Sequence, residues 1–487
     1  MYQVLTNIVI QQVADYIPPG GAPVTRDKTF TFNYLHSYES ESSWESMSQT
    51  MKIVLPKNVK FKDQNGATYS LASNTGTPSS IGGYVGAPTT NTTPDIPGLN
   101  TPLVPSPANI PVPTFMRGDM ITLNVGYRTK LMGKGQSEVT YMTGGPDPTG
   151  KYPTLTSTSN NIPPLFQGFI TRVSPRLPFT LECEDAMYLL SLVPTPNKHY
   201  NTGNIQSIVS GIIQQAYQAN DDGTDSLLTK YKKACNVNIT LSTFSMSDLP
   251  FDVQSFISTR GNLKEFLMKA GQQYHLHSWF RGFELRVGPT YYLPDDAVTQ
   301  SFAFKQNILD NDRLHFKRKD DIPLSVIVTA YASSSAGTTT KPIPPATSGK
   351  PVTTLANTQI LVYSEAGQFK KIVKQKGVDF PANDVGKRFT LKRHTPVTDV
   401  DALFQWRVRF LKRYYYDGLE GSFTTFGVPY VKHGDIINLT NPSLPEMTGL
   451  YMCKAVTYSG SAEEGLRQEI TLDFKINQIS DINTFDN

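Results

Sequence analysis

Apolar and polar positions alternate with period two towards both ends of the chain, and between them the spacing changes to that of helices. Thr29, Thr31 and Asn33 alternate with Phe30, Phe32 and Tyr34, and Met51–Leu55 stops at Pro56, which cannot continue a central ladder. Residues 28–55 are therefore predicted as strands. Residues 1–12 read as a first strand rather than a signal peptide, because they lack a basic n-region and the apolar stretch is short. Thr180–Cys183 and Gln468–Phe474 alternate in the same way. In the middle, Ile205, Ile208, Val209, Ile212 and Ala216 share one helix face, with Asn204 placed to cap it. A second stripe, Leu263, Phe266, Leu267 and Ala270, is opened by Asn262 and predicted to stop at Gly271. A hairpin over Tyr274–Phe280 and Phe283–Val287, turning at Arg281-Gly282, follows it. A third helix is expected near 398–417, capped by Thr398, with Leu403, Trp406, Phe410 and Tyr414 on one face and Gly418 as its stop.

One short pattern occurs twice. Arg117-Gly118-Asp119-Met120-Ile121-Thr122-Leu123 is echoed by His433-Gly434-Asp435-Ile436-Ile437-Asn438-Leu439, with an offset of 435 − 119 = 316 residues. A Gly-Asp pair suits a tight turn, since Gly tolerates φ > 0 and Asp can bond nearby backbone. Further on, Leu165–Thr171 resembles Leu450–Val456, and each leads to one of the alternating strands just named. Two copies of a β unit imply a duplicated small barrel.

The predicted fold is mainly β with an α/β insertion: two related small, tube-like β-barrels plus an α/β module. The first barrel is assigned to residues 1–194, the module to 195–298 and the second barrel, with the third helix, to 299–487. Stretches rich in Pro, Ser, Thr, Gly and Asn at 72–114, 133–164 and 332–356 have almost no periodicity and are treated as loop insertions.

Composition narrows the classes. The chain has 487 residues, enough for about three domains. Its 24 Tyr and 25 Phe suit sheet surfaces and interfaces. A net charge of +4 is no footprint of a dedicated nucleic-acid binder, and the basic run Lys317-Arg318-Lys319 meets Asp320-Asp321 at once, as on a solvated strand edge. Cys183, Cys235 and Cys453 lack paired spacing, which argues against a disulfide scaffold or zinc site; the first and last read as small buried hydrophobes. No apolar run approaches the roughly 18 residues that span a bilayer.

Candidate chemistry fails on inspection. Gly145-Pro146-Asp147-Pro148-Thr149-Gly150-Lys151-Tyr152 approximates a phosphate loop, but two prolines remove cradling N–H groups and Tyr152 replaces the magnesium-binding hydroxyl. Glu182, Glu184 and Asp185 could be paired carboxylates, yet no second acidic cluster accompanies them, and a solvated strand end is the plainer reading. His275 and His277 share a strand face without a third ligand nearby. No catalytic, cofactor-binding or metal-binding residue is assigned.

Glu41–Thr50 running into Lys52–Lys57 resembles the N-terminal strands of phage tail baseplate central hub proteins, the family of late control protein D. Arg117-Gly118-Asp119, Val125-Gly126-Tyr127 and Leu165–Ile170 are similar to the following strands of that family's first barrel, and Cys183-Glu184-Asp185-Ala186 to its exit. Gly418–Gly421, Gly427-Val428-Pro429, Gly434-Asp435 and Gly449-Leu450-Tyr451 resemble its second barrel. The type VI secretion spike shares the design in its N-terminal part. This resemblance implies a non-enzymatic homotrimer in the virion tail, assembled in the host cytoplasm. Two barrels in each of three chains would present six units to a hexameric tail tube protein and a threefold end to a spike or tail-tip protein. Other baseplate proteins are expected partners, with DNA passing the lumen without specific binding and no cofactor. Any wall-cutting enzyme or needle is expected on a separate chain. A rival expectation is a carbohydrate-binding or peptidoglycan-degrading tail protein using the acidic cluster at Glu182–Asp185.

Overall fold

The computed structural model describes residues 2–13, 15–17, 26–56, 59–66, 68–70, 114–129, 139–142, 164–174, 178–203, 205–220, 222–242, 253–258, 261–274, 276–288, 297–319, 324–330, 358–365, 368–373, 387–395, 404, 407–408, 411, 413–461 and 463–476. The first part holds strands β1 (Tyr2–Gln11), β2 (Thr29–Phe32), β3 (Ser37–Ser43), β4 (Thr50–Leu55), β5 (Lys60–Asp63), β6 (Thr68–Ser70), β7 (Met120–Thr129), β8 (Val139–Met142), β9 (Phe166–Ser174) and β10 (Phe179–Glu184). The middle holds α1 (Met187–Leu190), β11 (Pro194–Thr195), β12 (Lys198–Gly203), α2 (Ile205–Ala216), α3 (Leu227–Cys235), β13 (Thr240–Leu241), β14 (Val253–Ser258), β15 (Gly261–Asn262), α4 (Leu263–Tyr274), β16 (His277–Arg281) and β17 (Glu284–Gly288). The last part holds β18 (Thr299–Ala303), β19 (Ile308–Asp310), β20 (Leu314–Lys317), β21 (Leu324–Ala330), β22 (Thr358–Glu365), β23 (Gln368–Val373), β24 (Lys387–Thr395), β25 (Gly418–Phe426), β26 (Ile436–Thr440), β27 (Gly449–Ser461) and β28 (Gly465–Lys475).

The chain is mainly β, and its first and last parts contain the same five-strand unit. In the first, antiparallel ladders run β3-β4-β10-β9-β7. In the second they run β20-β25-β28-β27-β26, again all antiparallel and in the same chain order. Even an irregularity repeats. The β9–β10 ladder skips Thr171 and the β27–β28 ladder skips Lys454, one position after Ile170 and Cys453 respectively. Such bulges bend a strand locally, so both units curl at the same point. Among the described residues neither ladder closes fully on itself.

The copies differ in what flanks them. β7 takes β1 as an antiparallel neighbour, whereas β26 takes β18 in parallel. The second unit also carries, between β20 and β25, a separate four-stranded sheet ordered β23-β22-β21-β24. This sheet lies within the 299–487 segment and is hydrogen-bonded separately from β18–β20 and β25–β28. Its central strands hold the short apolar runs Val326-Ile327-Val328 and Ile360-Leu361-Val362, and period alone does not say which sheet such a run joins.

Both units share one core. Ile8, Phe32, Ile53 and Leu181 of the first cluster with Phe302, Ile437, Val456 and Ile470 of the second, all essentially inaccessible. Burying each such side chain contributes about 1.5–3 kcal/mol. A second core fastens the α/β module to the first unit: Met120 and Phe169 pack with Tyr188, Val209, Leu263 and Leu285.

Several local expectations need correction. The strand at Thr29 ends at Phe32, and Tyr34 is 73% exposed. α4 passes Gly271 and continues to Tyr274; the glycine is not a stop but leaves room for the Leu276 carbonyl against the helix. α3 was not predicted, although Ser226 caps it and Asn236 ends it in the left-handed region at φ 55°. Within the predicted loop at 133–164, Val139–Met142 forms β8 against β7. In the third helix Phe404, Arg407, Val408 and Leu411 are helical, while Thr398, Leu403, Trp406 and Phe410 lie outside the described residues, and Gly418 opens β25. Residues 72–113 and 332–356 also lie outside them.

The internal alignment shifts too. Met120 pairs with Phe169 as Ile436 pairs with Met452, so Ile170 corresponds to Cys453 and Gly168 to Tyr451. This is two residues from the match suggested by the sequence. A slip of two keeps every side chain on its own face, so the apolar pattern could not detect it.

Candidate assembly surface

Each Gly-Asp pair builds the same turn. Gly118 and Gly434 adopt φ of 95° and 84°, a region open to glycine and costly for other residues. Gly118 N donates to Ile170 O and Ile170 N returns to Asp119 O, at 2.8 and 2.9 Å. Gly434 N and Cys453 O, then Cys453 N and Asp435 O, repeat both bonds at 2.8 Å. Met116 N donates to Asp119 Oδ2 at 2.9 Å, and Lys432 N to Asp435 Oδ2 at 2.8 Å. Val13 N and Val298 N reach the other oxygens at 3.3 and 3.4 Å. The residue flanking the neighbouring strand, two after β1 and one before β18, therefore presents the same donor although the strand's direction is reversed.

An arginine neutralises each buried carboxylate. Arg26 forks onto Asp119 at 2.9 and 2.7 Å, both groups being buried. Burial pushes the Asp119 carboxyl up, and the Arg26 guanidinium opposes that. Arg281, at the end of β16, reaches Asp435 at 2.6 Å and so ties the α/β module to the second unit. The sequence marks Arg281 only as a hairpin turn and Arg26 not at all. They stand 93 and 154 residues from their partners, beyond any local pattern. Beside this pin, His433 is buried against Trp279, and burial together with Arg281, Lys432 and Arg286 drops its pKa to about 3.

The two units meet along one seam. β3 pairs antiparallel with the outer part of β27 over seven positions, from Ser43 opposite Ala455 to Ser37 opposite Ser461. Trp44 N donates to Lys454 O at 3.3 Å, and Lys454 Nζ reaches Glu45 at 2.8 Å. Tyr127 OH donates to Leu466 O at 2.8 Å. Gly460 lies opposite Tyr38, whose ring occupies the space a Cβ would need.

The duplication exposes the reciprocal edges. β3 corresponds to β20 and the outer part of β27 to the end of β9. Among the described residues β20 pairs only with β25, and no strand flanks β9 beyond Ile170 on the side away from β10. Leu309 and Phe316, on this margin of the second unit, are 45% and 40% exposed.

The residues weighed for chemistry are occupied structurally. Glu184 binds Lys264, and Glu182 lies 3.8 Å from Arg172. Asp185 is buried and accepts from Gln49 N at 2.9 Å and from Met187 N, at the start of α1, at 3.0 Å. Its carboxyl borders a cavity of about 330 Å³ shared with Leu165, Phe280, Arg281 and Val298. His277 stands edge-on to Trp44 at 4.8 Å. Lys317 is buried beside Glu420, over the Tyr416 ring. Residues 145–152 and His275 lie outside the described residues. Cys183, Cys235 and Cys453 are free thiols, the first and last buried. Among the described residues no cluster of His, Cys, Asp and Glu could hold a metal, and no helix is long and apolar enough to cross a membrane.

The chain is mainly β and similar in overall structure to phage tail proteins and type VI secretion components. A tail protein from Neisseria meningitidis MC58 aligns over 96% of both chains, with a TM-score of 0.44 and 10% identity. The 43 kDa tail protein of prophage MuSo2 from Shewanella oneidensis aligns over 97% of this chain and 98% of its own, at 0.43 and 9%. An E. coli component of the type VI secretion system covers 90% of this chain and 73% of its own, at 0.35 and 8%. No family model matches the sequence, and no curated protein matches it.

Proposed function

We propose that this protein is the structural hub of a bacteriophage tail tip or baseplate: a homotrimeric ring adapting a hexameric tail tube to a trimeric spike or tip. The observation that carries the reading is the β3–β27 seam. It joins two copies of one unit through different edges, so it is heterologous, and heterologous contacts propagate until the rotation closes. Two units per chain in three chains make six. Such a ring meets a sixfold tube with six near-equivalent units, and its opposite end keeps the threefold order that seats a trimeric partner. Other baseplate proteins would bind the periphery, and DNA would pass the lumen without specific contacts. The role is one of assembly rather than catalysis, in a virion tail put together in the host cytoplasm.

Light scattering at rising concentration, alone and with tail tube protein, tests this. The expected species has three times the 54.0 kDa chain mass, and end-on particle images should show six lobes in three identical pairs. A chain that stays monomeric at the highest concentration and ignores tube protein overturns it, as does a ring of any other order.

A further inference from the structure

Resting on the ring reading, the duplication assigns the contact between protomers position by position. Cys183 and Leu472 face the equivalent Ile170 and Cys453, so their other partners Met51 and Gly421 are equivalent, Ser40 corresponds to Leu314 and Ser42 to Phe316. Ile170 and Cys453 are equivalent, so Val173 corresponds to Val456. In the internal seam Val456 lies opposite Ser42. We infer that β20 of one protomer is completed by the end of β9 from a second copy, antiparallel, with Phe316 opposite the partner's Val173.

Two observations select a second copy as the occupant. The missing edge exists on this same chain, because β9 offers an uncovered end of the type that β27 presents to β3. Ser42 is 5% exposed under β27, while its counterpart Phe316 is 40% exposed, so an apolar side chain stands where a covering strand belongs. The charges also permit the register. Arg172 would lie opposite Lys317, but each already has its carboxylate, Glu182 at 3.8 Å and Glu420 at 3.2 Å.

The two seam types differ in strength. β27 continues to Ser461 and pairs over seven positions, whereas β9 ends at Ser174. Only Arg172, Val173 and Ser174 remain for pairing. The positions matching Tyr458 and Ser461 are Pro175 and Pro178, which have no N–H to donate. The ring therefore alternates long internal seams with short external ones, and closure depends on concentration or a template.

Disulfide trapping tests the register. In a Cys235→Ser background, Val173→Cys with Phe316→Cys is oxidised at high protein concentration. A reducible ladder that ends at three chains is expected. Ser42→Cys with Val456→Cys, the internal counterpart, should link within one chain and run as a monomer. Phe316→Glu should weaken self-association at least about tenfold, and Phe316→Leu should preserve it. Trimers by light scattering that never link 173 to 316 overturn this seam and leave the ring standing. A 173–316 link within one chain, or a ladder continuing past three, overturns the seam as drawn. Absence of any trimer removes the ring itself.

Discussion

The guanidinium of Arg413 lies 4.3 Å over the ring of Trp44. The same group forks onto Asp473 of β28 at 2.7 and 2.8 Å, and His277 of the module abuts the other partner, Trp44. One arginine thus gathers both units and, through Trp44, the module. Arg413→Ala would strand a buried carboxylate, and about 3–5 kcal/mol of stability should be lost. Arg413→Lys should recover only part, because an ammonium cannot fork onto a carboxylate or stack flat on indole. Burial already raises the Asp473 pKa, with Arg413 opposing it. Without the arginine it rises further, so the folded chain holds a proton the unfolded chain releases. The alanine variant's deficit should therefore shrink as pH falls from 7 towards 4. Urea midpoints across that range check both points, and a deficit below 1 kcal/mol, unchanged with pH, rejects the role.

The paired turns offer an internal comparison. Asp119 accepts four hydrogen bonds and is matched by a buried arginine; Asp435 accepts three and is matched by a partly exposed one. Removing either leaves an arginine without its carboxylate, but Arg281 can turn towards water and Arg26 cannot. Asp119→Ala should cost more than about 3 kcal/mol and Asp435→Ala distinctly less. Equal losses in thermal or urea unfolding would show that exposure of the arginine does not set the cost.

Those turns were legible in the sequence because their chemistry is local: Gly supplies the positive φ and Asp bonds a backbone N–H three residues before it. The strands were legible from alternation, and α2 and α4 from their stripes. What stayed hidden was non-local. Arg26 and Arg281 carry no mark of which carboxylate they meet. The reversal of β18 relative to β1 depends on where an insertion returns the chain. The two-residue slip at Ile170 and Cys453 preserves facing, and the short apolar runs of β21 and β22 carry no mark of which sheet they join. The candidate surface was legible only as a duplication. Its edges are defined by the pairing of β3 with β27, a contact between residues more than 400 positions apart.

Asp185 gives a pH signature. Burial pushes its carboxyl up to about 7, against the Gln49 and Met187 N–H groups that pull it down. The unfolded value is near the ordinary 3.8, so between those limits the folded chain binds more protons than the unfolded chain. Stability should therefore rise as pH falls from 8 towards 4, at up to about 1.4 kcal/mol per pH unit for one proton. Glu184 and Lys264 border the same site and are already paired with each other. Asp185→Asn should flatten that part of the profile. An identical slope in the variant would assign the proton to another group.

Gly460 tests the internal seam by close approach. A Cβ there would press into the Tyr38 ring, and the facing backbone is held by ladder bonds on both sides. The ring cannot withdraw easily, since Tyr38 is buried in the shared core. Gly460→Ala should therefore cost about 1–3 kcal/mol through overpacking. Tyr38→Ala alone should cost more, about 3–5 kcal/mol, through the cavity it leaves. Combined, the two should lose clearly less than their sum, because the methyl then occupies space the ring has vacated. If the losses add, the alanine methyl is relieved by strand movement, and Tyr38 is not what holds β3 and β27 at this spacing.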